Sequence, residues 1–353
     1  MSQKILVWGA GAIGGTVGAY LSQAGHEVAF VDSSPAHVEA INRHGLRIEG
    51  PVSQFTARAP AFLPEAIQGE WPIVALAVKA QHTEAACRQL MPRLAPDGYV
   101  LSLQNGLCEV VIEGLVGRSR TMGALVGFMG DQLGPGVVRF GQRAKFCVGE
   151  LDGRITDRAA ALGRLLEDFE PDVEVTGDIW GYLWGKLTFI ALLYGTALGT
   201  SKLTELFASE PLQPVWRELA SEMVAVAVSE GATPRAFDGL EPAAFAAGAS
   251  KEAARHSMNA MSALLVDSPK SHSGMWRDIA IHKRQTEVET QIGPVLKIAA
   301  RNRIRVPALK RLLTMIRSVE THQIAQSDAL IPQLLEGLPK QARSGQRPWG
   351  AAL

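Results

Sequence analysis

Short apolar runs alternate with polar, helix-periodic stretches through the first half of this 353-residue chain. Ile5–Trp8, Val28–Val31, Ile73–Val78, Tyr99–Leu103 and Met122–Val126 are nearly unbroken in apolar character, as strands buried on both faces must be. Between them, Pro35–His44 and Gln81–Leu94 predict crossover helices. Arg47–Ile48 and Phe55–Thr56 predict a small extra strand pair. Val137–Phe140 and Lys145–Val148, joined through Gly141-Gln142-Arg143, predict an antiparallel hairpin at the sheet's far edge. From about Asp178 the pattern changes to long helical periodicity. The helices expected there are Ile179–Leu198, Leu212–Glu230, a segment around Ala243–Met261, Asp278–Asn302 and Ala308–Ile324. Gly231 closes the second of these and Pro307 opens the last. The expectation is an α/β fold: a doubly wound sheet over residues 1–177, an all-helical domain over 178–339, and a flexible tail over 340–353.

The turn after the first strand narrows this further. Gly9-Ala10-Gly11-Ala12-Ile13-Gly14 places glycines where a strand gives way to a helix. Gly9 permits a tight turn, Gly11 lets backbone approach a pyrophosphate, and Gly14 allows close helix–sheet packing. The anion would rest on the free N–H groups of the helix. The second strand ends in Asp32, whose carboxylate suits ribose hydroxyls and repels a 2′-phosphate. The segment therefore predicts a dinucleotide, NAD in preference to NADP. The competing reading is a glycine turn in another kind of α/β protein, with Asp32 capping a turn.

Composition removes several classes of partner. Lysine plus arginine equals aspartate plus glutamate, 35 against 35, so neither nucleic acid nor an anionic membrane is an expected partner. Cys87, Cys108 and Cys147 form no CxxC pair, which fits a reducing cytoplasm rather than a disulfide framework. The eight histidines, His37 and His44 beside the dinucleotide turn included, lack metal-ligand spacing. No GxSxG element or phosphate-binding GxxxxGK[ST] loop is present.

Four residues stand where chemistry is expected, each with a plainer alternative. Lys79 leaves the carboxyl end of a buried strand and suits an anionic substrate, or is a solvated loop lysine. Asn105 can donate and accept at once, but Asn-Gly is also an ordinary turn. Lys186 lies in an apolar helix, where desolvation lowers a lysine pKa toward acid/base use, unless its ammonium snorkels to water. Glu287 opens a helical pattern and faces either a cleft or solvent. The default place for substrate is a cleft between the two domains.

Taken together, the Gly9–Gly15 turn, Ala77-Val78-Lys79-Ala80, Gln104-Asn105-Gly106, Leu183-Trp184-Gly185-Lys186-Leu187 and Thr286-Glu287-Val288-Glu289 resemble the ketopantoate reductase (2-dehydropantoate 2-reductase) family. The resemblance implies a Rossmann-type domain, a helical domain and reduction of a 2-oxo acid by a nicotinamide cofactor. It makes Lys186 the general acid, puts Lys79 and Asn105 near the reacting centre, and gives Glu287 a substrate hydroxyl or the lysine to orient. The substrate carboxylate is expected near Lys79 or a serine of the Ser271–Ser273 segment, Ser273 included. Well-known members prefer NADP and carry a basic residue where this chain has Asp32. One turn after the lysine they usually have a substrate-binding asparagine; here stand Ile190 and, a turn further, Tyr194. The expectation is an NAD-preferring 2-oxo acid reductase, or 2-hydroxy acid dehydrogenase, forming a possible homodimer. The alternatives are a dehydrogenase of a bulkier secondary alcohol, with Ile190, Trp180, Trp184 and Trp276 lining an apolar pocket, and a non-catalytic NAD-binding regulatory protein.

Overall fold

The computed structural model describes residues 2–266 and 271–338; the tail expected at 340–353 lies outside them. The chain divides into two compact units at Leu183/Trp184. The first contains β1 (Lys4–Trp8), α1 (Ala12–Gln23), β2 (Glu27–Val31), α2 (Pro35–His44), β3 (Leu46–Glu49), β4 (Phe55–Ala57), β5 (Ala61–Phe62), β6 (Trp71–Leu76) and α3 (Thr83–Leu90). It continues with β7 (Leu94–Ser102), α4 (Cys108–Val116), β8 (Thr121–Val126), β9 (Met129–Gly134), β10 (Val137–Gln142), β11 (Phe146–Glu150), α5 (Asp157–Leu166) and β12 (Val173–Val175).

Eight strands form one sheet in the order β12-β11-β8-β7-β6-β1-β2-β5, and four form a second, β4-β3-β10-β9. The order reverses about β1, as crossovers on both faces require. In the large sheet only β11 runs antiparallel to its neighbour β8. Ile5 and Val7 enter one buried cluster while Leu6 and Trp8 enter the other. A strand covered on both faces has no polar side to show, which is why the sequence there is a run rather than an alternation.

Several boundaries differ from the sequence pattern, each for a local reason. Val137–Phe140 and Lys145–Val148 do not form a hairpin. β10 pairs with β9 and β3 in the small sheet, while β11 pairs with β8 and β12 in the large one. The Arg143 guanidinium, donating to the Phe169 carbonyl at 2.6 Å and Glu170 at 3.1 Å, anchors the link between them. The helix expected over Gln81–Leu94 is α3 flanked by single 3-10 turns, and Leu94 already belongs to β7. Pro92, lacking an N–H, stands where the helix ends. The extra pair β3–β4 forms as expected.

The second unit is helical. It takes in α6 (Ile179–Ala197) from Trp184 onward, then α7 (Leu203–Ala208), α8 (Gln213–Ser229), α9 (Lys251–Val266), α10 (Gly274–Ala280), α11 (Val288–Arg301), α12 (Pro307–Glu320) and α13 (Leu330–Gln333). The single helix expected over Asp278–Asn302 is two. Lys283 adopts a left-handed φ of 52°, and Arg284 turns back to bind Asp278 at 2.6 and 2.9 Å. The segment around Ala243 splits similarly, into a 3-10 turn at Pro242–Phe245 and α9. The last expected helix stops at Glu320, short of Ile324, and His322 follows in the left-handed region. Among the described residues no helix is long and apolar enough to cross a membrane, and no group of three or more His, Cys, Asp or Glu is placed to hold a metal ion.

α8, α11 and α12 pack together, and a buried acid joins α8 to α12. Glu222 on α8 is 3 % exposed, and its carboxylate accepts the Ala308 and Leu309 amides at 2.9 and 2.8 Å. It thereby caps the first turn of α12, where an anion also meets the positive end of the helix dipole. Burial pushes its pKa from 4.5 up to about 7, against the lowering pull of those two amides. With the folded value above the unfolded one, this contribution to stability is complete below about pH 4.5 and is lost as pH rises through about 7. Thermal unfolding across that range should show a fall on the order of 3 kcal/mol at most. Glu222→Gln should remove most of it; an equal slope in parent and variant would contradict the assignment.

Candidate active site

The carboxyl ends of β2, β1, β6 and β7 lie side by side. Trp8 pairs with Val31 and Leu76, and Leu76 with Ser102. The ladder continues one step past each strand. Gly9 N–H donates to Val31 at 2.7 Å, Ala77 N–H to Trp8 at 2.8 Å and Leu103 N–H to Leu76 at 2.8 Å. Four candidate segments thus emerge at one edge: Asp32, the Gly9–Gly14 turn, Lys79 and Asn105. Glycine is required at two points of the turn. A β-carbon on Gly9, whose φ is 102°, would sit 2.8 Å from the backbone of Ala77 and Val78. One on Gly14 would overlap the Gly9 carbonyl and lie 2.9 Å from the Val7 side chain. α1 therefore begins in direct contact with the sheet.

Gln104, quoted in a sequence motif but given no role there, braces the next two segments. Its side-chain amide donates to the Val78 carbonyl and to Thr83 Oγ1, both at 2.8 Å. This ties the loop carrying Asn105 to the loop carrying Lys79. Lys79 is exposed, and Asn105 is half-buried beside Gly106, whose φ is 93°. Asp32 accepts the Ala10 amide at 3.0 Å and the Ser34 amide at 2.9 Å, which fixes the orientation of its carboxylate.

This edge suits a dinucleotide. Gly11 caps α1 without a side chain, and a β-carbon placed there would meet only Gln132, at 3.6 Å. The first turn of α1 carries no acidic residue. A pyrophosphate would therefore meet the first amides of Ala12 and Ile13 with no carboxylate in that turn to repel it.

In the second unit, Lys186 is half-buried on α6 among residues that are almost all buried. A β-carbon on Gly185 would overlap the Arg235 carbonyl, so the chain after α8 lies directly against α6 at this point. That chain then makes a two-residue hairpin. Phe237 and Leu240 exchange backbone hydrogen bonds at 3.0 and 2.9 Å across Asp238 and Gly239, both at positive φ, 45° and 79°. Asp-Gly is the dipeptide such a turn favours, a signal available in the sequence. The Lys186 ammonium stands 5.9 Å from the Phe237 ring centre. Burial raises the pKa of Asp238, and the charge of Lys186 opposes that rise.

The remaining candidates are buried or half-buried. Ile190 and Tyr194, on successive turns of α6, are 3 % and 0 % exposed. Tyr194 donates to Gln291 Oε1 at 3.0 Å. Burial, then the charge of Glu287, holds its hydroxyl well above the usual tyrosine range. Glu287 occupies the residue before α11. Its neighbour Thr286 donates through both N–H and hydroxyl to Glu320, at 2.8 and 2.5 Å, which fixes that entry. Ser273 is 4 % exposed and caps α10, its hydroxyl accepting the Trp276 amide at 3.1 Å. Of the tryptophans, Trp184 is buried, while Trp180 and Trp276 donate to the carbonyls of Leu151 and Gly199.

A doubly wound sheet with a glycine turn at its strand ends, followed by a helical unit, is the two-part architecture of this chain. Residues 5–153 match the family described as ketopantoate reductase PanE/ApbA, and residues 178–320 match its carboxyl-terminal part. The chain belongs to this family of oxidoreductases. It is similar to the 2-dehydropantoate 2-reductase of Archaeoglobus fulgidus, 28% identical over 320 residues that cover 90% of this chain and 98% of the relative. Among solved structures it is similar to the PanE/ApbA family ketopantoate reductase of Ralstonia eutropha JMP134, with a TM-score of 0.76 and 27% identity over 91% of this chain and 99% of the other. A D-mandelate dehydrogenase solved with NADH and anilino(oxo)acetate shares the fold: TM-score 0.77, 21% identity, 90% and 99% covered.

The close approach at Gly185 is directly testable. Gly185→Ala should cost about 1–3 kcal/mol of stability in denaturant unfolding, because the added methyl must displace backbone. Unchanged stability would contradict the packing described for α6.

Proposed function

We propose that this protein reduces a 2-oxo acid to the 2-hydroxy acid, or runs the reverse reaction, with NAD preferred over NADP. The observation that carries the reading is Lys186, a half-buried cation on an apolar helix whose residues are mostly buried. The Lys186 ammonium gives its proton to the carbonyl oxygen and takes it back when the reaction runs from the alcohol. The chemistry that a reduced nicotinamide supplies when bound is a hydride for the carbonyl carbon. Gly9, Ala10, Gly11, Ala12, Ile13 and Gly14 cradle its pyrophosphate. Asp32 accepts from the ribose hydroxyls, and its negative charge disfavours a 2′-phosphate. Lys79 offers a cation to the substrate carboxylate, and Asn105 orients either a carboxamide or the catalytic ammonium. Glu287 holds a substrate hydroxyl or orients Lys186.

Ile190 favours a second reading within the same chemistry. The family resemblance implies a hydrogen-bonding asparagine at this position, and an apolar residue there discriminates against a substrate hydroxyl. It therefore favours a 2-oxo acid or secondary alcohol with a bulkier, apolar side chain. Comparable activity on ketopantoate and on every bulkier substrate would count against that version.

Removing the proton donor is the direct test. Lys186→Ala should lower kcat at least ~100-fold across a panel of 2-oxo acids while NADH binding stays within a small factor of the parent. Retention of most turnover would overturn the assignment.

A further inference from the structure

Ala10 stands between Gly9 and Gly11, and side chains from the segment after β2 hold it at both ends. Its N–H donates to Asp32 Oδ2 at 3.0 Å, and its carbonyl accepts from His37 Nε2 at 2.9 Å. His37, on α2, is 0 % exposed. Its other ring nitrogen, Nδ1, accepts the Gly136 backbone N–H at 2.9 Å, with the Gln132 side-chain amide at 3.2 Å. A backbone amide can only donate, so Nδ1 is bare and the ring proton is on Nε2. Gly136 therefore sets the tautomer that lets His37 hold Ala10. Gly136 has little freedom to drift: its φ is 71°, and a β-carbon on it would lie 2.9 Å from that of Ala40 on α2.

The consequence follows from peptide geometry. In a trans peptide the C=O and the next N–H point in opposite directions. Among the described residues every peptide bond is trans. Drawing the Ala10 carbonyl onto His37 therefore turns the Gly11 N–H away from His37. Rotating that peptide would present a carbonyl dipole in place of an amide. It would also leave a buried imidazole N–H without its acceptor, an unfavourable state for a buried donor.

We propose that His37 is a positioning residue for dinucleotide binding: it sets the Ala10–Gly11 peptide so that the Gly11 amide serves the pyrophosphate. The small sheet, through Gly136 in the β9–β10 turn, sets His37. This rests on the dinucleotide reading above and extends it to a part of the first unit that carries no sequence motif. The pyrophosphate is common to both nicotinamide dinucleotides, so His37 acts on both equally, whereas Asp32 discriminates between them.

The test compares parent, His37→Leu and His37→Gln as full-length proteins. NADH and NADPH affinities are read by nicotinamide fluorescence, and folding by thermal unfolding. His37→Leu should weaken both dinucleotides by a similar factor of about tenfold or more. His37→Gln, whose amide reaches the Nε2 position, should return affinity to within about threefold of the parent, although it too loses the Gly136 bond. If His37→Leu does not fold, His37→Asn, which reaches only the Nδ1 position, replaces it. Parent-like NADH affinity in the variant lacking the donor overturns the inference, as does weakening confined to one dinucleotide. Turnover by the parent with unchanged binding in the variants sinks this inference alone. A parent protein that binds neither dinucleotide sinks the functional reading and the inference with it.

Discussion

Contact between α1 and the strands beneath it, with no side chain at Gly9 or Gly14 to hold them apart, is the constraint on which the first unit depends. A β-carbon at either position would meet backbone or the Ala77 side chain. Because nothing fills that space, the ends of β2, β1, β6 and β7 stay in line, and the residues that leave them emerge together. Backbone ladders, the Gln104 brace and the two hydrogen bonds on Ala10 then remove the remaining freedom of those loops. Loops fixed in this way have little left to order when they meet a ligand, which reduces the ordering cost of association.

The second unit solves a similar problem by a similar device. Gly185 lets the Arg235 backbone lie against α6, and the tight Asp238-Gly239 turn then brings Phe237 beside Lys186. A non-glycine residue at positive φ is uncommon, although aspartate tolerates the region better than most. That strain is maintained where the functional reading needs a charged group kept in place. Family membership gives the same two-part order.

The sheet was legible in sequence because its strands are covered on both faces and read as apolar runs. The glycine turn was legible because each glycine answers a steric demand. What stayed hidden depends on contacts between residues far apart in the chain. The separation of β10 from β11 into different sheets rests on pairing with β3 and β8, which local pattern does not encode. The break between α10 and α11 depends on Arg284 returning to Asp278, and either side of that break is helical in period. The roles of His37 and Gln104 rest on single hydrogen bonds to backbone in other segments. The turn at Asp238-Gly239 is different: its dipeptide was visible, but its placement beside Lys186 was not.

The central proposal is that this protein transfers hydride to a 2-oxo acid, with Lys186 as its proton donor. It is tested most directly by following NADH and NADPH oxidation over a panel of 2-oxo acids, with stoichiometric 2-hydroxy acid formation measured alongside. The account predicts turnover of at least one acid with kcat/KM higher for NADH than for NADPH. Tight NADH binding without turnover of any panel member would contradict the catalytic claim. Preference for NADPH by about tenfold or more would contradict the role given to Asp32.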